Sequence, residues 1–137
     1  MRFLQWLQIL YSKLRSCGSK TGRLGRKGEQ AATRFLKRAG YHILDRNWRS
    51  GHYELDIVAQ IGSCVAFVEV RGRCTQSLQS GYDTINRAKK QALSKAIRAY
   101  LKQHRWIHSY RFDIISIDWD TQGTISDIRH YESVPLR

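Results

Sequence analysis

The chain is 137 residues long, 42% hydrophobic and 26% charged, which is the size and mix of one globular domain able to bury roughly two-thirds of its unfolded surface. One proline and ten glycines exclude a collagen-like or Pro-rich chain. Twenty-four Lys and Arg against eleven Asp and Glu leave a net charge of +13, an excess that points to a polyanionic partner, nucleic acid first and anionic lipid second.

In chain order, residues 1–10 are apolar but interrupted by Gln5 and Gln8. The run falls short of the ~18 residues of a spanning helix, and no A-x-A cleavage site follows it. Residues 1–15 have the make-up of a short interfacial helix above Lys13 and Arg15; docking on the rest of the chain, or fraying, is preferred to membrane contact. Residues 17–22 form a Gly/Ser-rich linker, so 1–23 reads as an extension and 24–137 as the domain. Over 26–39 the apolar positions Ala31, Ala32, Phe35, Leu36 and Ala39 recur at helical spacing, and Gly40 is a stop signal. Residues 41–45 read as a short strand, followed by the basic stretch 46–49. Strands at 53–61 and 64–71 flank Gly62-Ser63, a Gly-X turn suited to type II′. A long helix is expected over 84–104, then a strand at 111–118 and a weaker one at 124–131. The order α-β-β-β-α-β-β describes an α/β domain with a central mixed sheet flanked by helices.

The three cysteines, Cys17, Cys64 and Cys74, are odd in number and lack a C-x-x-C pair. Neither a disulfide framework nor a zinc ribbon is expected, and a reducing, cytoplasmic setting is the simple inference. The charge is uneven. Residues 1–52 carry twelve Lys and Arg against two acids, Glu29 and Asp45, whereas 53–137 carry twelve against nine.

A two-residue turn at Gly62-Ser63 fixes the hairpin register. Ile61 then faces Cys64, Ala59 faces Ala66, Ile57 faces Val68 and Leu55 faces Val70, the last six residues sharing one apolar face. The other face pairs Val58 with Phe67, Asp56 with Glu69 and Glu54 with Arg71. Asp56 opposite Glu69 is a like-charge pair, destabilising unless a cation offsets it. A divalent metal would do so, since hard cations such as Mg²⁺ prefer carboxylate oxygens. The alternative is a cross-strand Glu54–Arg71 ion pair with Asp56 and Glu69 at a solvated edge.

The strings Gly28-Glu29-x-Ala31, Phe35-Leu36, Gly40-Tyr41-x-Ile43-Leu44-x-Arg46-Asn47, Glu54-Leu-Asp56-Ile-Val-Ala59, Phe67-Val-Glu69-Val-Arg71-x-Arg73, Lys90 and Arg111-Phe-Asp113 resemble, in order and spacing over residues 24–131, the YraN-like family of bacterial nucleases, catalogued as an uncharacterised protein family. The resemblance implies a restriction-endonuclease-like, three-layer fold similar to Holliday junction resolvases, built around a PD-(D/E)xK motif. It implies that Asp56 and Glu69 hold Mg²⁺ or Mn²⁺ with Glu29 assisting, that position 71 is the motif's basic residue, that DNA is the substrate (branched or single-stranded forms included), and that a homodimer forms. The chain departs from the pattern in having Arg71 for lysine and in His52-Tyr53 standing between Gly51 and Glu54. Arginine keeps its proton at physiological pH and cannot serve as a base, but it can clamp phosphate through two N–H groups. The sequence thus leaves two outcomes, a metal-dependent endonuclease and a catalytically impaired DNA-binding protein of the same fold.

Further nucleic-acid contacts are expected from Arg26 and Lys27, from Arg46, Trp48 and Arg49, from Arg73, and from Lys89 and Lys90. Trp48 suits base stacking and core plugging equally. Lys89 and Lys90 offer an amine in place of Arg71 from a different direction, though surface or phosphate contact is the simpler role. His104 and His108 are four apart but lack an acidic third ligand, so a capping or surface role is expected. Arg111 and Asp113 should form an ion pair that buttresses the sheet. No Walker A, G-x-S-x-G or G-x-G-x-x-G string is present.

Overall fold

Seven elements appear in a computed structural model that describes residues 22–74 and 85–137. They are helix α1 (Arg23–Arg38), strands β1 (His42–Ser50), β2 (Tyr53–Ile61) and β3 (Cys64–Cys74), helix α2 (Arg87–Gln103), and strands β4 (Ser109–Trp119) and β5 (Ile125–Tyr131). The extension at 1–21, including the linker cysteine, lies outside the described residues.

Local chemistry accounts for most of the boundaries. α1 ends where Gly40 takes φ +92°, with its N–H on Lys37 O and the Tyr41 N–H on Leu36 O; this is the Schellman closure that glycine permits. α2 begins at Asn86, whose side chain accepts the Lys89 N–H at 2.9 Å, an N-cap worth about 1 kcal/mol. Gly62 has φ +57° and Ser63 does not share the positive sign, as a type II′ turn requires. The same device recurs one hairpin earlier: Ser50 faces Tyr53 across Gly51, φ +58°. His52 therefore completes a tight turn rather than lengthening a loop.

The five strands form one sheet in chain order, β1-β2-β3-β4-β5. All neighbours are antiparallel except β3 and β4, which run parallel from Cys64–Ser109 to Cys74–Trp119. A parallel pair needs a crossover, and α2 is that crossover. The helices cover opposite faces, giving three layers. Ala32 and Leu36 of α1 pack on Ile57, Ala59, Ala66, Val68, Ile115 and Ile117. Leu93, Ala96, Ile97 and Tyr100 of α2 pack on Val58, Val65, Phe67, Phe112 and Ile114. Each fully buried Ile or Phe contributes about 1.5–3 kcal/mol, so the sheet is clamped from both sides.

Four expectations are corrected. β1 continues through Arg46 and Arg49 to Ser50, because the basic side chains lie exposed on an edge strand while Trp48 turns inward. The β2–β3 register is as expected from Ile61–Cys64 to Ile57–Val68, but the described ladder stops there. Leu55 joins the α2-side core with Val58, so the expected six-residue apolar face loses a member and the Asp56–Glu69 and Glu54–Arg71 ladder pairs do not form. Glu54 instead pairs with its β1 partner Arg49 at 3.2 Å. Finally, Cys74 is disulfide-bonded and Cys64 is a free thiol, against the expectation of wholly reduced cysteines.

Candidate active site

The ladder ends at Asp56, and the reason is chemical. Its side chain lies in the plane of the sheet and accepts the Val70 N–H at 2.9 Å, taking the place of a backbone carbonyl. The carboxylate is thereby delivered beside the Glu69–Val70 peptide, with Asp56 only 1% exposed. Glu69 is equally buried. Alternation along β3 puts it with Phe67 and Arg71 on the α2 face. Two cations meet its Oε1: Arg71 Nη1 at 3.6 Å, from two residues along the same strand, and Lys89 Nζ at 3.4 Å, from the first turn of α2. The Asn86 cap fixes that turn, so an exposed asparagine on a loop sets where Lys89 begins its reach.

Two hard oxygen donors from adjacent strands, both buried, suit a divalent cation of the Mg²⁺ type, which characteristically binds one or two carboxylates and keeps several waters. Among the described residues no three His, Cys, Asp or Glu side chains gather into a metal-holding group. Glu29 is half-buried on α1, next to Gly28, which approaches Trp119 and Ile117.

The sequence-predicted phosphate contacts divide into exposed and engaged groups. Arg26, Lys27, Arg46 and Arg49 are exposed. Trp48 is half-buried, its ring 5.3 Å from and edge-on to Tyr100, so it plugs the α2-side core. Arg73 makes a two-pronged contact with Asp118 at 2.6 and 3.0 Å, and Asp118 also receives Arg129 at 3.0 Å; that carboxylate ties β4 to β3 and β5. Lys89 and Lys90 diverge: the first turns to Glu69, the second lines a cavity with Ile85, Leu136 and Arg137. His104 caps α2, its ring stacked on Tyr100 with centroids 4.0 Å apart.

One cluster was only partly anticipated. On the α1 face, Asp113 accepts Arg111 Nε at 3.0 and 3.1 Å and the Ser133 N–H at 2.9 Å, and His130 Nε2 lies 2.8 Å away. Tyr41 joins through Arg111 at 2.6 Å. The Arg111–Asp113 pair follows from i,i+2 spacing on a strand, whereas His130 and Ser133 come from a different part of the chain with no spacing to signal them.

A model of the uncharacterised protein family UPF0102 matches residues 28–117. Similar proteins carrying that family's name come from Chlorobium chlorochromatii, 38% identical over 100 residues (73% of this chain, 78% of that protein), and from Chloroflexus aurantiacus, 43% identical over 114 residues (79% and 88%). Another, from Oleidesulfovibrio alaskensis, is 38% identical over 100 residues, 72% of this chain and 50% of that protein, so the chain spans about half of that relative's length. Among the described residues, no helix is long and apolar enough to cross a membrane.

Proposed function

The chain belongs to the uncharacterised protein family UPF0102, and we propose that this member is a restriction-endonuclease-like, metal-dependent phosphodiesterase acting on DNA. The observation that carries the proposal is a buried Glu69 faced by Arg71 and Lys89, with the buried Asp56 carboxylate on the N–H of the next residue, Val70. Asp56 and Glu69 would hold Mg²⁺ or Mn²⁺, which when bound supplies a Lewis acid and a water of lowered pKa.

The chain's own groups do the rest. Arg71 would present a planar cationic fork to the scissile phosphate, stabilising charge as it builds on the phosphoryl oxygens. An amine, which Arg71 cannot supply, stands across Glu69 as the Nζ of Lys89. Lysine carries a compact ammonium with three rotatable donors on a flexible stem, so Lys89 is placed to orient the attacking water. Arg26, Lys27, Arg46 and Arg49, all exposed, would bind flanking phosphates; these contacts give affinity without sequence preference. A pair of active sites in a homodimer would suit a branched substrate.

The test is incubation of labelled four-way junction, duplex and single-stranded DNA with the protein in Mg²⁺, Mn²⁺ or EDTA, beside Glu69→Ala. Metal-dependent cleavage by the wild type, lost in E69A with DNA binding retained, is the expected result. Binding that is indifferent to metal, with no cleavage of any substrate, would instead establish the second reading, a DNA-binding protein without turnover, which the arginine at position 71 favours.

A further inference from the structure

From residue 84 to residue 112 the sequence holds eight Lys and Arg and not one Asp or Glu. Lys89 is engaged at Glu69, but the far half of α2 carries its cations outward. Lys95, Arg98 and Lys102 recur at three- and four-residue spacing, which is one stripe of a helix, and Arg105 continues the line just past its end. All four are exposed, and no carboxylate among the described residues pairs with any of them. The last three line an open depression of about 520 Å³. Beyond it the exposed aromatics begin. Trp106 is 51% and Tyr110 52% exposed, and they are two of only three large hydrophobic side chains exposed among the described residues. The Tyr110 ring is braced edge-on against buried Phe67 at 5.9 Å, which keeps it from folding away.

We infer that this cationic stripe and the two rings at its end form a binding surface for single-stranded nucleic acid, separate from the candidate active site and at the opposite end of α2. Cations along a line neutralise successive phosphates, and rings standing beside them offer stacking platforms to bases. Unpaired bases are required, because a duplex does not expose base faces to side-chain rings. A membrane surface fits less well: an interfacial helix inserts its apolar face, and that face of α2, with Leu93, Ile97 and Tyr100, is buried in the core. A second copy of the chain fits less well again, since a two-fold contact here would bring two cationic stripes together. The surface deepens the nucleic-acid reading above and takes its ligand class from it. It gives the molecule a place to hold an unpaired strand some 20 Å from the phosphodiester site, judging by the ~1.5 Å rise per residue of the intervening helix.

The test is fluorescence anisotropy of a labelled oligothymidine and of a duplex of equal length, with the full chain in EDTA so that cleavage plays no part. The W106A/Y110A double variant is expected to weaken single-strand binding about tenfold or more and to leave duplex binding within about twofold. Arg98→Ala with Lys102→Ala and Arg105→Ala should weaken both and flatten the salt dependence by about two units of log–log slope. Unchanged single-strand affinity in the W106A/Y110A variant would overturn the proposal. So would Trp106-dependent binding to phosphatidylserine vesicles without oligothymidine binding, or Trp106-dependent self-association in sedimentation. Cleavage by the wild type without any effect of Trp106 would sink this surface alone; ring-dependent binding without cleavage would sink the active site alone.

Discussion

Two buried carboxylates, Asp113 and Glu69, sit almost back to back across the sheet. β4 pairs Asp113 with Val68 and Ile114 with Glu69, so the two acids are one register step apart and point to opposite faces. Both side chains have no solvent exposure and both are faced by an arginine two residues away on their own strand. The geometry then differs. Asp113 meets Arg111, His130 and the Ser133 N–H at 2.8–3.1 Å, all hydrogen-bond distances. Glu69 meets Lys89 and Arg71 at 3.4 and 3.6 Å, from side chains 32% and 21% exposed. The first arrangement is a lock: short bonds from two separated stretches of chain hold β4, β5 and the residues that follow β5 together. The second is held by longer charge contacts from groups that reach water, and such partners can turn to an incoming phosphate without dismantling the core. Burial and charge are alike; the bond length and the exposure of the partners separate a strut from a candidate site.

The largest expected effect breaks the symmetry of that comparison. Asp113→Ala leaves Arg111 and His130 facing a buried gap and should cost about 3–5 kcal/mol, read as a fall in the urea midpoint of unfolding. Glu69→Gln should cost clearly less stability and yet abolish metal-dependent cleavage, by about a hundredfold or more. Equal destabilisation by the two would mean that Glu69 is as structural as Asp113.

Lys89 sharpens the contrast next. Lys89→Met should lower the cleavage rate by roughly ten- to a thousandfold, on the scale of losing one positioned donor. Lys89→Arg, which keeps the charge but replaces a compact ammonium with a broader planar fork, should recover binding but not rate. Full rate in K89R would reduce the role of Lys89 to electrostatic balance.

A third prediction concerns alkaline pH. Burial raises the Tyr100 hydroxyl far above its ordinary value of 10.0, and its hydrogen bond to Asp45 raises it further; burial likewise raises Tyr41. A proton held more tightly in the folded state stabilises fully below the unfolded value and is lost as pH rises through the folded one. Melting temperature should therefore fall above about pH 10, and Tyr100→Phe should reduce that slope while costing about 1 kcal/mol at neutral pH. A slope unchanged in Y100F would assign the alkaline loss elsewhere.

The smallest effect is the most local. Asn86→Ala removes the cap on the turn that carries Lys89 and should cost about 1 kcal/mol. If the cap also aims Lys89, cleavage should fall more than stability alone explains, which comparing rate and melting temperature in the same variant would detect.

What could be read from the sequence was what neighbouring residues decide among themselves. Gly40 ended a helix because a left-handed residue was needed there, and Gly62-Ser63 closed a hairpin whose register follows from turn length. That Asp56 and Glu69 lie on the two arms of that hairpin was legible, though not the register in which they meet, as was the Arg111–Asp113 pair two residues apart. The helical stripes of α1 and α2 were equally visible, since period and burial are written in the same few residues. Tertiary structure decided the rest, where partners are far apart in the chain. The ladder's end at Ile57 depends on Asp56 replacing a carbonyl for Val70. The capture of Arg73 by Asp118, 45 residues away, and the seating of Trp48 on Tyr100 depend on which strands pair and which face a helix covers. Lys89 is the clearest case: nothing near position 89 distinguishes it from Lys90. Only the parallel pairing of β3 with β4, and the crossover path α2 must then take over that face, bring one lysine to Glu69 and carry its neighbour away.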